Sequence, residues 1–335
     1  MGFWSWWIEP IEEIINEVRA PIIELREPES TGIIFPEADR QYSIFRPENF
    51  DQYIGQERAK TILKDYITAV KERGIPMGHI LLYGPAGTGK TTLARIIAKE
   101  LGIQFNEIIA STIVNSVELL IRIQMAAGGV IFIDEIHALP RSLGESIYTA
   151  MEEFKYDGKP ISPFTLIGAT TELGELVTDR APFVERFSIP LELEDYKIDE
   201  LALIAEQYKK MMYPKDIIPQ HLYSSLALNS RLNPRTMIRL IQCLVFMKSD
   251  INKVLYNFNI IKEGYTHKDL KALKYIQLNE KGVGLEGLAS YLGTSKANYT
   301  MILEPYLLKN NLIIRSPRGR RITDLGKQKI IELEK

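Results

Sequence analysis

Gly84-Pro-Ala-Gly-Thr-Gly-Lys-Thr91 spaces its glycines, lysine and threonine as a phosphate-binding loop does. Gly84, Gly87 and Gly89, with Pro85, Ala86 and Thr88 between them, let backbone N–H groups curl around an anion. Lys90 then reaches the β and γ phosphates, Thr91 offers its hydroxyl to Mg²⁺, and Thr92 continues the helix start. A second motif, Val130-Ile-Phe-Ile-Asp134-Glu135, runs four apolar residues into two carboxylates. A buried strand of that kind delivers its acids to the edge where open parallel sheets bind ligands. Asp134 is expected to hold the metal, usually through water, and Glu135 to polarise the attacking water as a general base. The pair of motifs predicts a nucleoside triphosphate hydrolase.

Such a site needs a parallel sheet behind it, and from Arg46 to Leu193 short apolar runs alternate with amphipathic stretches. The runs 79–83, 105–109, 130–134, 165–169 and 187–191 read as strands, and 91–101 reads as the helix that follows the loop. Ile62, Leu63, Tyr66, Ile67 and Val70 mark another helix before them. After Asp195 helical periodicity dominates, as in Leu201, Ile204, Ala205 and Tyr208. From Thr266 three short helical stretches precede Leu312–Arg315, a Ser316-Pro-Arg-Gly319 turn and Arg320–Thr323. Helices followed by a basic hairpin read as a winged helix. The fold expected is α/β, with an ATPase domain over 46–193, a helical lid over 194–262 and a winged helix over 263–335.

Composition narrows the function classes. The 335 residues are 45% hydrophobic and 25% charged, which excludes a wholly disordered chain, and no apolar run approaches a membrane span. One cysteine, Cys243, and four scattered histidines offer neither a disulfide nor a thiolate metal site, which points to the reducing cytoplasm. Charge is uneven: residues 1–30 hold seven Glu against two Arg, while 281–335 hold ten Lys and Arg against five acids. A polyanion is therefore expected to meet the C-terminal part. Residues 1–45 gather all three tryptophans, then Ile8, Ile11, Ile14, Ile15, Val18 and Ile22 along one helical face, followed by a linker. That helix reads first as packing on its own protein or a neighbouring subunit and second as docking to another protein; its acidic polar face argues against a membrane surface.

From Arg46 to about Gly326 the chain resembles the RuvB family, AAA+ motors of Holliday junction branch migration. The segments that carry the likeness are 46–58 with its Tyr-Ile-Gly-Gln box, 81–94, Phe132-Ile-Asp-Glu-Ile-His137, 164–171 ending in Gly-Ala-Thr-Thr, Glu304-Pro-Tyr-Leu307 and Arg315-Ser-Pro-Arg-Gly-Arg320. The resemblance implies ATP and Mg²⁺ as cofactors, a hexameric ring, and DNA as partner. It implies that Arg46, Pro47, Tyr53 and Ile54 wrap the adenine and that Thr171 is the polar residue sensing the γ-phosphate. It makes Arg186 the finger reaching a neighbour's ATP, with Arg180 close by, and Arg235 the lid residue that senses nucleotide. Arg318 at the wing tip would contact DNA, with Arg315, Arg320, Arg321 and Lys309 around it as phosphate contacts.

Two departures stand out. Between Phe154 and Pro163 the chain carries only 155–162, where the family has a longer hairpin that docks on RuvA, which puts that contact in question. The front segment also has no family counterpart. Two other classes stay open on sequence alone: an ATP-switched loader that remodels a partner, and a scaffold that binds ATP without turnover.

Overall fold

The computed structural model describes residues 45–335, apart from 127, 157, 249 and 280 and the side chains of 116, 120 and 141–146. The Trp-rich helix and linker read over 1–45 thus lie outside the described residues except for Phe45.

Five apolar runs form one parallel sheet: β1 (Ile80–Tyr83), β2 (Phe105–Ile109), β3 (Val130–Asp134), β6 (Thr165–Thr170) and β7 (Ile189–Glu192), in the order β2-β3-β6-β1-β7. These strands lack polar alternation because both faces are covered. Ile80, Leu82, Phe132 and Ile167 pack under α1 (Glu57–Arg73) and α2 (Lys90–Leu101). Leu81, Ile131, Ile133 and Leu166 pack under α3 (Ser116–Met125), α4 (Arg141–Glu153) and α5 (Leu173–Val184). The first and last strands begin one and two residues later than the sequence suggests. His79 is taken out of β1 by its ring, which accepts from the Leu166 N–H and bonds the Met151 carbonyl.

A two-stranded hairpin, β4 (Lys155–Tyr156) with β5 (Lys159–Pro160), closes the short 155–162 segment, with two residues per strand. Beyond β7 come the lid helices α6 (Ile198–Met212), α7 (Gln220–Leu228), α8 (Pro234–Phe246) and α9 (Ile251–Asn257). Their core takes in Phe45 and Ile54 from before α1, and the Phe45 ring meets Tyr208 edge-on at 5.1 Å.

The C-terminal part adds a small pair absent from the sequence reading, β8 (Ile260–Lys262) with β9 (Tyr265–Thr266), then α10 (His267–Leu278) and α11 (Leu285–Tyr291). A helical run follows: α12 (Lys296–Asn298), a π-helical turn over Tyr299–Leu303, and α13 (Glu304–Lys309). The wing is β10 (Ile313–Ser316) with β11 (Gly319–Ile322), and Val283 pairs with Arg320 as a third antiparallel rung. A final helix, α14 (Asp324–Leu333), packs on the same core.

Lid and winged helix are joined by Arg231, in a left-handed turn before α8 (φ 57°). Its guanidinium donates to the Gly264 carbonyl at 2.8 Å and the Ile302 carbonyl at 3.3 Å, pairs with fully buried Asp269, and lies 4.7 Å over the Tyr306 ring.

Candidate nucleotide site and nucleic-acid surface

The loop 84–91 lies between β1 and α2, and its carbonyl groups are tied down almost one by one. Lys90 Nζ donates to the Gly84 and Pro85 carbonyls at 2.7 and 2.9 Å, and the Thr88 hydroxyl adds a second bond to Pro85. From the lid, Asn233 Nδ2 donates to the Ala86 carbonyl at 2.9 Å. The Tyr53 and Tyr196 hydroxyls both reach the Thr88 carbonyl at 3.1 Å. With the oxygen ends held by protein donors, the N–H ends of these peptides are left to an anion, at the positive end of α2. Gly87 (φ 84°) and Gly89 (φ 95°) are required here: an added Cβ would sit 2.7 Å from the Asn233 amide and 2.5 Å from the Tyr53 hydroxyl. Pro85, Ala86, Thr91 and Thr92 complete the turn and the first helical positions.

This arrangement refines the role of the segment before α1. Tyr53 is buried, and its hydroxyl is engaged by the loop. Its N–H donates to the Asn49 carbonyl and its carbonyl accepts from Lys60. Ile54 leans on the lid core, and Arg46 and Pro47 are half-buried before the turn. Of the four, Tyr53 is the one that touches the loop, gripping the Thr88 carbonyl. Tyr196 and Asn233, the other two grips, escaped sequence reading: each needs a lid that folds back across more than a hundred residues.

Asp134 and Glu135 end β3 next to Lys90. Burial, then the neighbouring Glu135 charge, raises the Asp134 carboxyl above its ordinary value, against the pull of the Glu135 N–H and Lys90. Burial lowers the Lys90 ammonium, which Glu135 and Asp134 oppose and Arg235 reinforces. A cation at Asp134 would relieve that carboxylate. Among the described residues no cluster of three or more His, Cys, Asp or Glu forms a cage. One carboxylate, one hydroxyl from Thr91 and the phosphates of a bound nucleotide are a donor set that suits Mg²⁺.

Glu135 itself adopts a left-handed conformation (φ 49°, ψ 50°), which ends the strand abruptly and costs a non-glycine residue about 1–2 kcal/mol. Thr171, just past β6, donates to Glu135 Oε2 at 3.3 Å. Thr170, fully buried, contacts His137 Nδ1 at 2.9 Å.

The arginines divide clearly. Arg180 is buried and donates to the Leu139 carbonyl, so it serves the fold. Arg186 lies half-buried at the surface with its guanidinium 4.5 Å over the Tyr148 ring and its Nε 3.1 Å from Glu152. Arg235, exposed at the start of α8, follows Asn233, whose side chain caps that helix. Its charge acts on Lys90 across the loop.

At the wing, five basic residues that sequence groups as phosphate contacts separate by task. Arg320 and Arg315 both fork onto Glu304, whose carboxylate is fully buried. Arg320 is itself 14% exposed, so it neutralises a core acid and does not stand free for a phosphate; Arg315, paired with the same acid, is 59% exposed. Lys309 pairs with Asp195 at 2.7 Å. Arg318 and Arg321 line an open groove of about 460 Å³ together with Ser316, Pro317 and Lys281. Lys281, delivered by the Gly282-Val283 rung, is the groove residue that sequence reading missed.

Comparison with known proteins agrees with this geometry. Residues 45–193 match the family model of the Holliday junction DNA helicase RuvB P-loop domain, and 262–331 match the RuvB C-terminal winged helix domain. The chain is 37% identical over 308 residues to the Holliday junction branch migration complex subunit RuvB of Ehrlichia ruminantium, covering 85% of this chain and 92% of that one. The namesake from Acholeplasma laidlawii is 36% identical over 308 residues, covering 84% and 90%. Among solved structures, the Thermotoga maritima RuvB Holliday junction branch migration motor superposes with a TM-score of 0.76 at 37% identity, over 85% of this chain and 98% of that one.

Proposed function

The chain belongs to the RuvB family, and from that premise we propose that it hydrolyses ATP with Mg²⁺ to drive branch migration of four-way DNA junctions. The observation that supports this most is the loop whose carbonyls are tied from both domains beside the Glu135 carboxylate. Thr91 and Asp134 would hold the Mg²⁺ ion, which would supply charge stabilisation to the phosphates. Lys90 leaves its own loop carbonyls for the β and γ oxygens, and Glu135, held by Thr171, takes the proton of the attacking water. Arg46, Pro47, Tyr53 and Ile54 flank the adenine.

Arg235 reports the γ-phosphate to the lid. Arg186, at the surface over the Tyr148 ring, matches the family's finger in position and completes a neighbour's site, with a hexameric ring as the working form. Such an arginine is worth roughly 10³–10⁵ in rate in related chemistry. Arg318, Arg321 and Lys281 hold DNA phosphates without reading sequence, with Arg315 at the margin. The two-residue strands of the β4–β5 hairpin, bearing exposed Lys155 and Lys159, favour a partner contact other than the family's RuvA docking. No helix among the described residues is long and apolar enough to cross a membrane, and the site of action is the cytoplasm.

The test is steady-state ATP hydrolysis and strand exchange by the full chain, alone, with linear duplex and with a synthetic four-way junction, beside Glu135→Gln. Junction-stimulated turnover that vanishes in the variant is expected. Turnover indifferent to DNA would overturn the motor in favour of a loader, and ATP binding without turnover would overturn hydrolysis altogether.

A further inference from the structure

Every acid described between residues 263 and 335 has a basic partner: Asp269 and Glu304 are met in the core by arginines, and the surface acids by lysines, as Glu286 is by Lys296 and Glu334 by Lys274. Not every base is taken by this pairing. Lys268, Lys271, Lys281, Arg318 and Arg321 are exposed and have no ion pair among the described residues. Isolated surface cations are ordinary, but these lie on one line. At 3.6 residues per turn Lys268, Lys271, Tyr275 and Leu278 fall within an arc of about 80° on α10, a single stripe. Leu278 at its end is 80% exposed, and Lys281 follows in the loop that leaves the helix, lining the wing groove with Arg318 and Arg321. That loop lies on the wing tip itself: a Cβ added to Gly282 (φ 104°) would stand 2.9 Å from the Arg318 carbonyl oxygen. The middle of the stripe is stiffened. Tyr275 stacks on Tyr291 of α11, with centroids 3.9 Å and planes 13° apart, and Lys271 Nζ stands 4.9 Å from the Tyr291 ring. A lysine head that would otherwise wander has its place set by an aromatic face.

We propose that α10 is a second backbone-binding face for duplex DNA: the duplex held in the wing groove continues along the helix, and Lys271 and Lys268 meet its phosphates beyond Lys281, Arg318 and Arg321. This rests on the assignment of the wing groove to DNA and carries it further along the domain. The dimensions agree. From Lys268 to Leu278 the helix rises about 15 Å, the rise of about four to five base pairs at about 3.4 Å per charge on each strand. The charges agree as well. An unpaired lysine can neutralise a phosphate, releasing the counterions around it, without leaving an acid behind; Lys274 and Lys296 cannot. Lysines on phosphates carry no sequence information, so this face holds any duplex alike. Its contribution is direction. A wing tip grips a duplex at one point and leaves it free to swivel, whereas a row of cations along α10 fixes the line on which the duplex lies.

The test is fluorescence anisotropy of the full chain with labelled duplexes of two unrelated sequences across a salt series, beside melting curves. The variants are Lys268→Ala with Lys271→Ala, the same pair changed to Arg, Arg318→Ala, and Lys71→Ala with Arg73→Ala, which removes equal charge from the exposed end of α1. In the α10 alanine pair the slope of log affinity against log salt is expected to become shallower by about 2 for each subunit in contact, twice the change in Arg318→Ala. The change should be equal on both sequences, with melting held, and the arginine pair should restore the wild-type slope. The α1 pair should leave the slope where it was. A slope unmoved in the α10 alanine pair, or moved as far by the α1 pair, would overturn the α10 face while the loss in Arg318→Ala still stood for the wing; the α10 lysines would then be left to an acidic protein surface. Wild-type protein that holds no duplex at any salt would overturn the assignment of the wing, and the α10 face with it.

Discussion

The side-chain amide of Asn233 donates to the carbonyl of Ala86 across 147 residues of sequence, so the lid touches the phosphate loop two positions before Arg235. The same side chain's oxygen caps α8, accepting from the Arg235 and Thr236 N–H groups at 2.9 and 3.3 Å. Its two ends therefore serve two purposes that substitution can split. Asn233→Asp keeps the cap and replaces the donor with an acceptor facing a carbonyl; ATP affinity should fall several-fold with melting nearly unchanged. Asn233→Ala loses both, and should also cost about 1 kcal/mol of stability by denaturant titration.

The two tyrosine hydroxyls on the Thr88 carbonyl should behave non-additively. Tyr53→Phe or Tyr196→Phe leaves one donor in place and should change stability little. The double variant leaves a buried carbonyl without a donor, a cost of about 1–3 kcal/mol that exceeds the sum of the singles. A double-mutant cycle on unfolding, with ATP binding measured in parallel, reads the difference.

Glu304 gives the winged helix a pH dependence. Burial works to raise its carboxyl, but the hydrogen bonds and charges of Arg320 and Arg315 outweigh that and hold it below the ordinary 4.5. A lowered carboxylate contributes stability that is complete above pH 4.5 and is lost as pH falls through the folded-state value. Unfolding of the C-terminal part, followed by hydrogen exchange of α10 and α13, should therefore advance on acidification below pH 4.5, and Glu304→Gln should flatten the dependence while lowering stability at pH 7.

Arg318 and Arg320 are two residues apart and should fail differently. Arg318→Ala should weaken binding to any duplex alike, lower the slope of log affinity against log salt by about 1, and leave melting intact. Arg320→Ala removes one of two partners from a buried carboxylate and should destabilise by about 3 kcal/mol, losing DNA binding only as the fold is lost. Fluorescence anisotropy across a salt series, beside melting curves, distinguishes them.

Much of the nucleotide site is legible in sequence because its chemistry is local. Three glycines at fixed spacing, a lysine and a threonine specify a loop, and four apolar residues before Asp134 specify the strand that carries it. The sheet is legible for the same reason: buried strands are apolar throughout. Contacts made by long-range closure are not written that way. Nothing near Tyr196 or Asn233 announces the loop they hold, and Glu304 looks like an ordinary helix-start acid until the wing folds over it. Sequence therefore credits Arg320 to DNA, since a basic hairpin reads the same whether its charges face solvent or a buried carboxylate. His137 is legible as the end of the 132–137 segment, but its hydrogen bond to Thr170, a strand away, is not.

The packing of Phe45 and Ile54 into the lid core has a consequence for how the molecule is made. A nascent chain that has emerged as far as Glu192 already contains all five strands of the sheet. At that moment Phe45 still waits for Tyr208, the Thr88 carbonyl for Tyr196, and the Ala86 carbonyl for Asn233. Translation must proceed through the lid before the opening residues of the ATPase domain find their cover. The phosphate loop is encoded early and completed late.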